Sequence, residues 1–343
     1  MLNLKELYDI VQQNCHISDG LHAQDYGLCT YLLKMRELYR WEKGLPLTAP
    51  LPKQEIGEWL SQREQLWDEL TDNSFHCLPI GNGCYDPFDV TTINKILLPQ
   101  SIVYSGGYGQ FGKPSFFIGR LLTQTWREGL EILIAADEHA RDLFAPPAMS
   151  QNKVIFIRQQ SVRRTLWERI EDWNWKKPNN HIAKLLSIYN ASKDMEMALD
   201  KMTADEIETM ISHEMGEIQA GELLGEDWDN MLVAVAGTKA EIIARAVRDH
   251  LADCLVTLPQ LLAQQQTSTL LLYFANLRGM RQALFPGLVE AYQYWLTHEN
   301  DIKMLAKTVK QGQNDWLNTA QSLLACYTAN PTDCATLIID KMK

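Results

Sequence analysis

The sequence predicts a mainly helical α+β protein: a helical bundle with a small β-sheet inserted between N-terminal and C-terminal helical parts. Three observations carry this expectation. Apolar residues recur at three-to-four-residue spacing through long stretches near both ends, as in amphipathic helices. Between about 99 and 160 the runs IVYSGGYGQFGKPSFFIGRL, LEILIAA and KVIFIR have the length and the β-branched and aromatic content of strands. Beyond 161 the helical pattern returns, broken at KKPNN, GEDWDN and LFPGL.

Three regions follow: 1–98 helical, 99–160 sheet-containing, and 161–343 a C-terminal helical bundle. In the first, Ser18 reads as the cap of a long helix reaching Glu42, with Gly44 and Pro46 beyond its end. Gln54 to Leu70 reads as a second helix. The glycines of SGGYGQFGKP suit a hairpin turn, because their spacing matches neither GxxxxGK[ST] nor GxGxxG. In the last region TLLLYFANLRGMRQALFPGL fits either a central bundle helix or a face buried against another subunit.

The 343 residues include 43 acidic and 32 basic side chains, a formal charge of −11. Such a balance argues against a broad electrostatic surface for nucleic acid or anionic membrane. The opening MLNLKELYDI lacks a basic stretch followed by an apolar one, and no run of about 18 apolar residues occurs. A cytoplasmic protein acting on a small molecule is expected. Its seven cysteines (Cys15, Cys29, Cys77, Cys84, Cys254, Cys326 and Cys334) contain no CxxC pair and read as reduced thiols.

The chemistry concentrates in SHEMGE. Thr203 and Glu206 make a capping box, and Met202 with Ile207 a hydrophobic staple, so a helix is expected from 203 to about 224. On it Ile207, Met210, Ile211, Ile218 and Gly221 form an apolar stripe with Glu214 near its centre and His213 and Glu217 at its edge. In AEIIARAVRDHLADCLVTLPQLL the stripe of Ile243, Val247, Cys254, Leu258 and Leu261 has His250 near its centre. Asp253 and, farther round, Asp249 lie to one side. If the two helices pair antiparallel, residues whose numbers add to about 464 sit at equal height, and Glu214 faces His250. A third set comes from the N-terminal region, where Leu21, Leu28, Leu32 and Tyr39 define a face carrying Asp25, with His22 nearer its edge.

Imidazoles with carboxylates and no thiolates suit iron, manganese or zinc. The leading expectation is a non-haem iron or manganese enzyme, with one or two ions, doing redox or oxygen chemistry on a small molecule. Glu214, Glu217, His250 and Asp253 would hold the metal, with His213, His22 and Asp25 completing a second position or surrounding the first. In one alternative, HExxE stands for HExxH: His213, Glu217 and His250 hold zinc, and Glu214 is the general base of a hydrolase. In another, the chain is a non-catalytic structural or interaction protein whose buried histidines and acids, neutralised by Arg36, Arg245 and Arg248, fix helix register.

Together NCHISDGLHAQDYGLCTYLLKMRELYRWE, HEMGEIQAGELLG and RAVRDHLADCLVTLP resemble an uncharacterised family of bacterial cytosolic proteins over most of the chain. The resemblance implies a bacterial intracellular setting and brings no activity or ligand.

Overall fold

A computed structural model describes residues 3–109, 112–176 and 180–342. The protein is α+β and mainly helical, and it divides into two compact units, up to Asp172 and from Trp173 onward. The helices of 1–98 and the sheet of 99–160 share the first unit. The expected break at KKPNN and the side chains of Trp175 and His181 lie outside the described residues.

The N-terminal unit holds α1 (Leu4–His22), α2 (Leu28–Glu42), α3 (Lys53–Leu70), a hairpin of β1 (Leu78–Ile80) and β2 (Gly83–Tyr85), and α4 (Val90–Leu97). After these come β3 (Ile102–Tyr108), β4 (Pro114–Arg127), β5 (Leu130–Arg141), β6 (Ala148–Gln151), β7 (Val154–Arg158) and α5 (Gln159–Lys176). Strands β3 to β7 form one sheet in the order β3-β4-β5-β7-β6, antiparallel except between β5 and β7. The hairpin read from SGGYGQFGKP is present, with Tyr108 opposite Pro114. Its Gly106 is dictated by packing, since a Cβ there would lie 2.3 Å from the Pro87 carbonyl oxygen. Leu7, Val11 and Cys15 of α1 share a core with Tyr104, Phe116, Phe117 and Phe156 of the sheet, which explains why helices and sheet form one unit.

Two expectations about this unit are corrected. The helix expected from Ser18 to Glu42 is two helices separated by a 3-10 turn over Ala23–Asp25. Ser18 is no cap; it lies inside α1, buried, with its hydroxyl donating to the Pro114 carbonyl at 2.5 Å. Of the residues expected to form the apolar face, Leu21, Leu28 and Leu32 are exposed and Tyr39 is buried. Secondly, Cys77 and Cys84 form a disulfide flanking the β1–β2 turn, where hairpin pairing brings their Cα atoms to 5.5 Å. The other five cysteines are free thiols.

The C-terminal unit is a helical bundle: α6 (Asn180–Ile188), α7 (Met195–Leu224), α8 (Glu226–Ala234), α9 (Lys239–Ala252), a π-helical turn (Asp253–Thr257), α10 (Leu258–Gln264), α11 (Thr267–Asn276), α12 (Gly279–Leu284), α13 (Pro286–Thr297), α14 (Lys303–Ala329) and α15 (Cys334–Lys341). Leu270 to Phe274 of α11 are all buried, so the apolar run there is a bundle helix. Among the described residues no helix is long and apolar enough to cross a membrane.

Candidate metal centre

The site is built where α7 crosses α9. Asp194 caps α7 by accepting from the Met197 N–H at 3.0 Å, so the helix starts at Met195 and not at 203. Thr203 lies inside it, and its hydroxyl donates to the Leu199 carbonyl instead of capping a new helix. Thr238 caps α9 through the Ala240 N–H.

Glycine sets the crossing. A Cβ on Gly216 would sit 2.5 Å from the Ala252 carbonyl oxygen, so only this residue lets the two backbones approach so closely. His213 and Glu217, flanking Gly216 on α7, are thereby carried onto α9 and the turn that follows it. The π-helical turn starting at Asp253 widens the backbone there, and its Cys254 carbonyl accepts from the Gln313 side chain at 2.8 Å.

His213 Nδ1 lies 2.8 Å from Asp253 Oδ1, and its Nε2 lies 3.5 Å from Glu217 Oε1. One ligand atom each from His213, Glu217 and Asp249 falls within 4.8 Å of the others. Arginines flank this group. Arg248 Nη2 donates to Glu217 Oε2 at 2.9 Å, while Arg281 from α12 pairs with Asp253 and lies 3.8 Å from Asp249 Oδ2. Asp253 Oδ2 also accepts from the Tyr273 hydroxyl at 2.6 Å.

These neighbours pull the ionisable groups apart. Burial disfavours charge on His213, yet Asp253 and Glu217 overrule it and hold the imidazolium well above its usual range. Burial also opposes ionisation of Glu217 and Asp253, but Arg248 and His213 hold the first, and Arg281 and His213 the second, well below the usual carboxylate range. Asp249 goes the other way: burial and the Glu217 charge raise it to about 6, against the pull of Arg281.

The structure places the remaining predicted residues elsewhere. Glu214 is buried on α7, as its stripe position indicated, and it adds to the field at Arg248. His250 is fully buried, and its hydrogen bond and ring contacts lead away from α7. Its Nε2 donates to the Arg281 carbonyl at 2.7 Å, its ring stacks on Trp316 at 4.6 Å, and its Nδ1 has no hydrogen-bond partner among the described residues. Burial lowers it to about 4, so it is neutral at pH 7. His22 and Asp25 belong to the N-terminal unit, where they pair with each other at 3.1 Å and Asp25 is exposed. Asp25 therefore does not lie on a buried face, because the 3-10 turn interrupts the periodicity that placed it there.

Three participants escaped the sequence reading. Asp249 was visible as an edge position on its helix, but nothing in the spacing promoted it over Asp253. Tyr273 and Arg281 come from other helices, and no local pattern marks them.

The donor set of one imidazole and two carboxylates fits a divalent iron, manganese or zinc ion. Asp253 holds one ring nitrogen of His213 and the other lies on the Glu217 side, an arrangement in which the carboxylate would orient the imidazole if a metal were bound.

No curated protein and no solved structure is significantly similar to the chain. Residues 6–158 match the N-terminal domain, and residues 163–343 the C-terminal domain, of a family of unknown function, DUF6866, so the protein belongs to that family.

Proposed function

We propose that the C-terminal unit binds a divalent iron or manganese ion through His213, Glu217 and Asp249, and that the protein is a non-haem metalloenzyme acting on a small molecule. The observation that carries this reading is the convergence of those three side chains, with Asp253 holding the far nitrogen of His213. Bound there, the metal supplies redox or Lewis-acid chemistry. The chain's own residues orient the imidazole through Asp253, and they neutralise the carboxylates through Arg248 and Arg281. The zinc-hydrolase alternative needs His250 as a ligand, and the bond of that ring to the Arg281 carbonyl weighs against it.

A second reading has its own support. Glu217, Asp249 and Asp253 are matched in number by Arg248, Arg281 and a protonated His213, so the network balances its charge without an ion and serves to fix helix register. Titration of Mn(II) into wild-type protein and Glu217→Gln, followed by electron paramagnetic resonance, separates the two. Metalloenzyme chemistry requires stoichiometric binding that Glu217→Gln loses; equal, weak binding by both leaves the register reading.

We also place the protein in the bacterial cytosol. Five free cysteines support that setting, while the Cys77–Cys84 bond argues for a more oxidising one.

A further inference from the structure

The N-terminal unit concentrates cationic side chains where α2, the end of β5 and the start of α5 meet. Arg141 is buried at 2% exposure, with its guanidinium 5.1 Å over the Trp41 ring. Its Nη1 approaches Glu138 only to 3.9 Å, and its Nε and Nη2 have no hydrogen-bond partner among the described residues. Arg158 spends Nη2 on Glu138 at 2.6 Å, and its Nε and Nη1 have no hydrogen-bond partner among the described residues. Arg164 holds the Ala145 carbonyl at 2.7 Å and Glu168 at 3.3 Å, with no hydrogen-bond partner for Nε among the described residues. Lys34 Nζ lies over the Phe144 and Tyr26 rings, at 5.3 and 5.7 Å, and forms no salt bridge among the described residues, with only the more distant charges of Glu168 and Asp142 attracting it.

Nearby acids do not supply the missing acceptors. Asp142 accepts from Ser115, Phe116 N–H and Ala145 N–H, so its oxygens are committed to holding the loop. Glu138 is divided between Arg158 and Ser161. Glu37, facing the cluster from α2, is engaged by Arg40 at 3.1 Å, and burial lifts its carboxyl to about 7, which weakens its negative charge at neutral pH. Four cations, Lys34, Arg141, Arg158 and Arg164, thus share too few carboxylate oxygens. Buried donors and charges left in that condition are expensive unless an anion answers them.

We propose that the N-terminal unit binds a phosphate-class oxyanion between Lys34 on α2, Arg141 at the end of β5 and Arg164 on α5. A tetrahedral dianion carries enough acceptor oxygens for the open Nε and Nη2 of Arg141 together with the Lys34 ammonium, and guanidinium forks match its geometry. The Trp41 and Phe144 rings provide apolar walls for the group that bears it. Burial and the neighbouring Arg164 charge lower Lys34 to about 8 and Arg141 to about 10, the direction that an incoming anion reverses. The site lies within the N-terminal unit and is independent of the proposed metal.

Inorganic phosphate titrated at constant pH and ionic strength, with calorimetry and melting temperature as readouts, tests this on wild-type protein, Lys34→Met and Lys34→Arg. Lys34 is half-buried on a helix, so its substitution spares the core. Saturable heat and a rising melting temperature are expected for wild type and Lys34→Arg, with affinity at least about ten-fold weaker in Lys34→Met. A phosphate response equal to that of chloride, or identical affinity in Lys34→Met, overturns the site. Acetate run in parallel distinguishes the oxyanions, and tighter acetate binding overturns the phosphate assignment. Should Lys34→Met fail to fold, the comparison of phosphate with chloride on wild type decides alone.

Discussion

Asp253 Oδ1 lies 2.8 Å from His213 Nδ1, across the junction of α7 with the π-helical turn after α9. The same carboxylate takes the Tyr273 hydroxyl and the Arg281 guanidinium, so one buried side chain ties four elements together. Asp253→Asn keeps the shape and removes the charge. It should destabilise the unit by roughly 3–5 kcal/mol, because Arg281 and His213 lose their buried counter-charge. Metal affinity should fall by about 10- to 100-fold. Chemical denaturation and a metal-binding isotherm measure the two effects separately.

The pH response of Asp249 has a definite sign. Its carboxyl sits near 6 in the folded protein, above the ordinary value of about 3.9. The folded state therefore holds that proton more tightly than the unfolded state. Its contribution is fully present below about pH 4 and is lost as pH rises through 6. In chelator, Asp249→Asn should accordingly gain on wild type between pH 4 and pH 8, by up to ~3 kcal/mol. Saturating Mn(II) should reverse the order at pH 8, since wild type alone retains the full ligand set. Melting curves at both pH values, with and without metal, read this out.

Gly216→Ala probes the helix crossing itself. The added methyl meets a backbone oxygen of α9, which cannot rotate away as a flexible side chain would. We expect a loss of about 1–3 kcal/mol. Metal binding should weaken alongside it, although no ligand has been touched. Unchanged stability and binding would show that the crossing relaxes freely.

His250 and His213 should behave oppositely. His250→Ala empties a buried position between Trp316 and Phe285 and should cost roughly 3 kcal/mol with little change in metal stoichiometry. His213→Ala should abolish stoichiometric binding. Metal content of both variants, measured at a temperature where each is folded, checks the contrast.

The inward faces of α7 and α9 were legible in the sequence because helical periodicity records burial, and Glu214 and His250 are indeed buried. The antiparallel pairing of these helices, taken there as a condition, agrees with the pairs His213–Asp253 and Glu217–Arg248. What periodicity could not supply was which side chains meet across the crossing. Both pairs have sums close to the expected 464, but equal height does not say which side chains meet: His250 turns to the Arg281 carbonyl and Trp316. Arg281 and Tyr273 turn a pair of helices into a charge network, and their placement depends on tertiary packing. In the N-terminal region a short 3-10 turn divides the helix that periodicity joined, and Leu21 before it and Leu28 and Leu32 after it are exposed while Tyr39 is buried.

Elemental analysis of protein purified without a metal-affinity column, for wild type, Glu217→Gln and His213→Ala together, tests the central claim most directly. About one equivalent of iron or manganese in wild type, absent from both variants, is the predicted result. No metal in wild type after anaerobic reconstitution with Fe(II) or Mn(II), or equal metal in all three proteins, would contradict it.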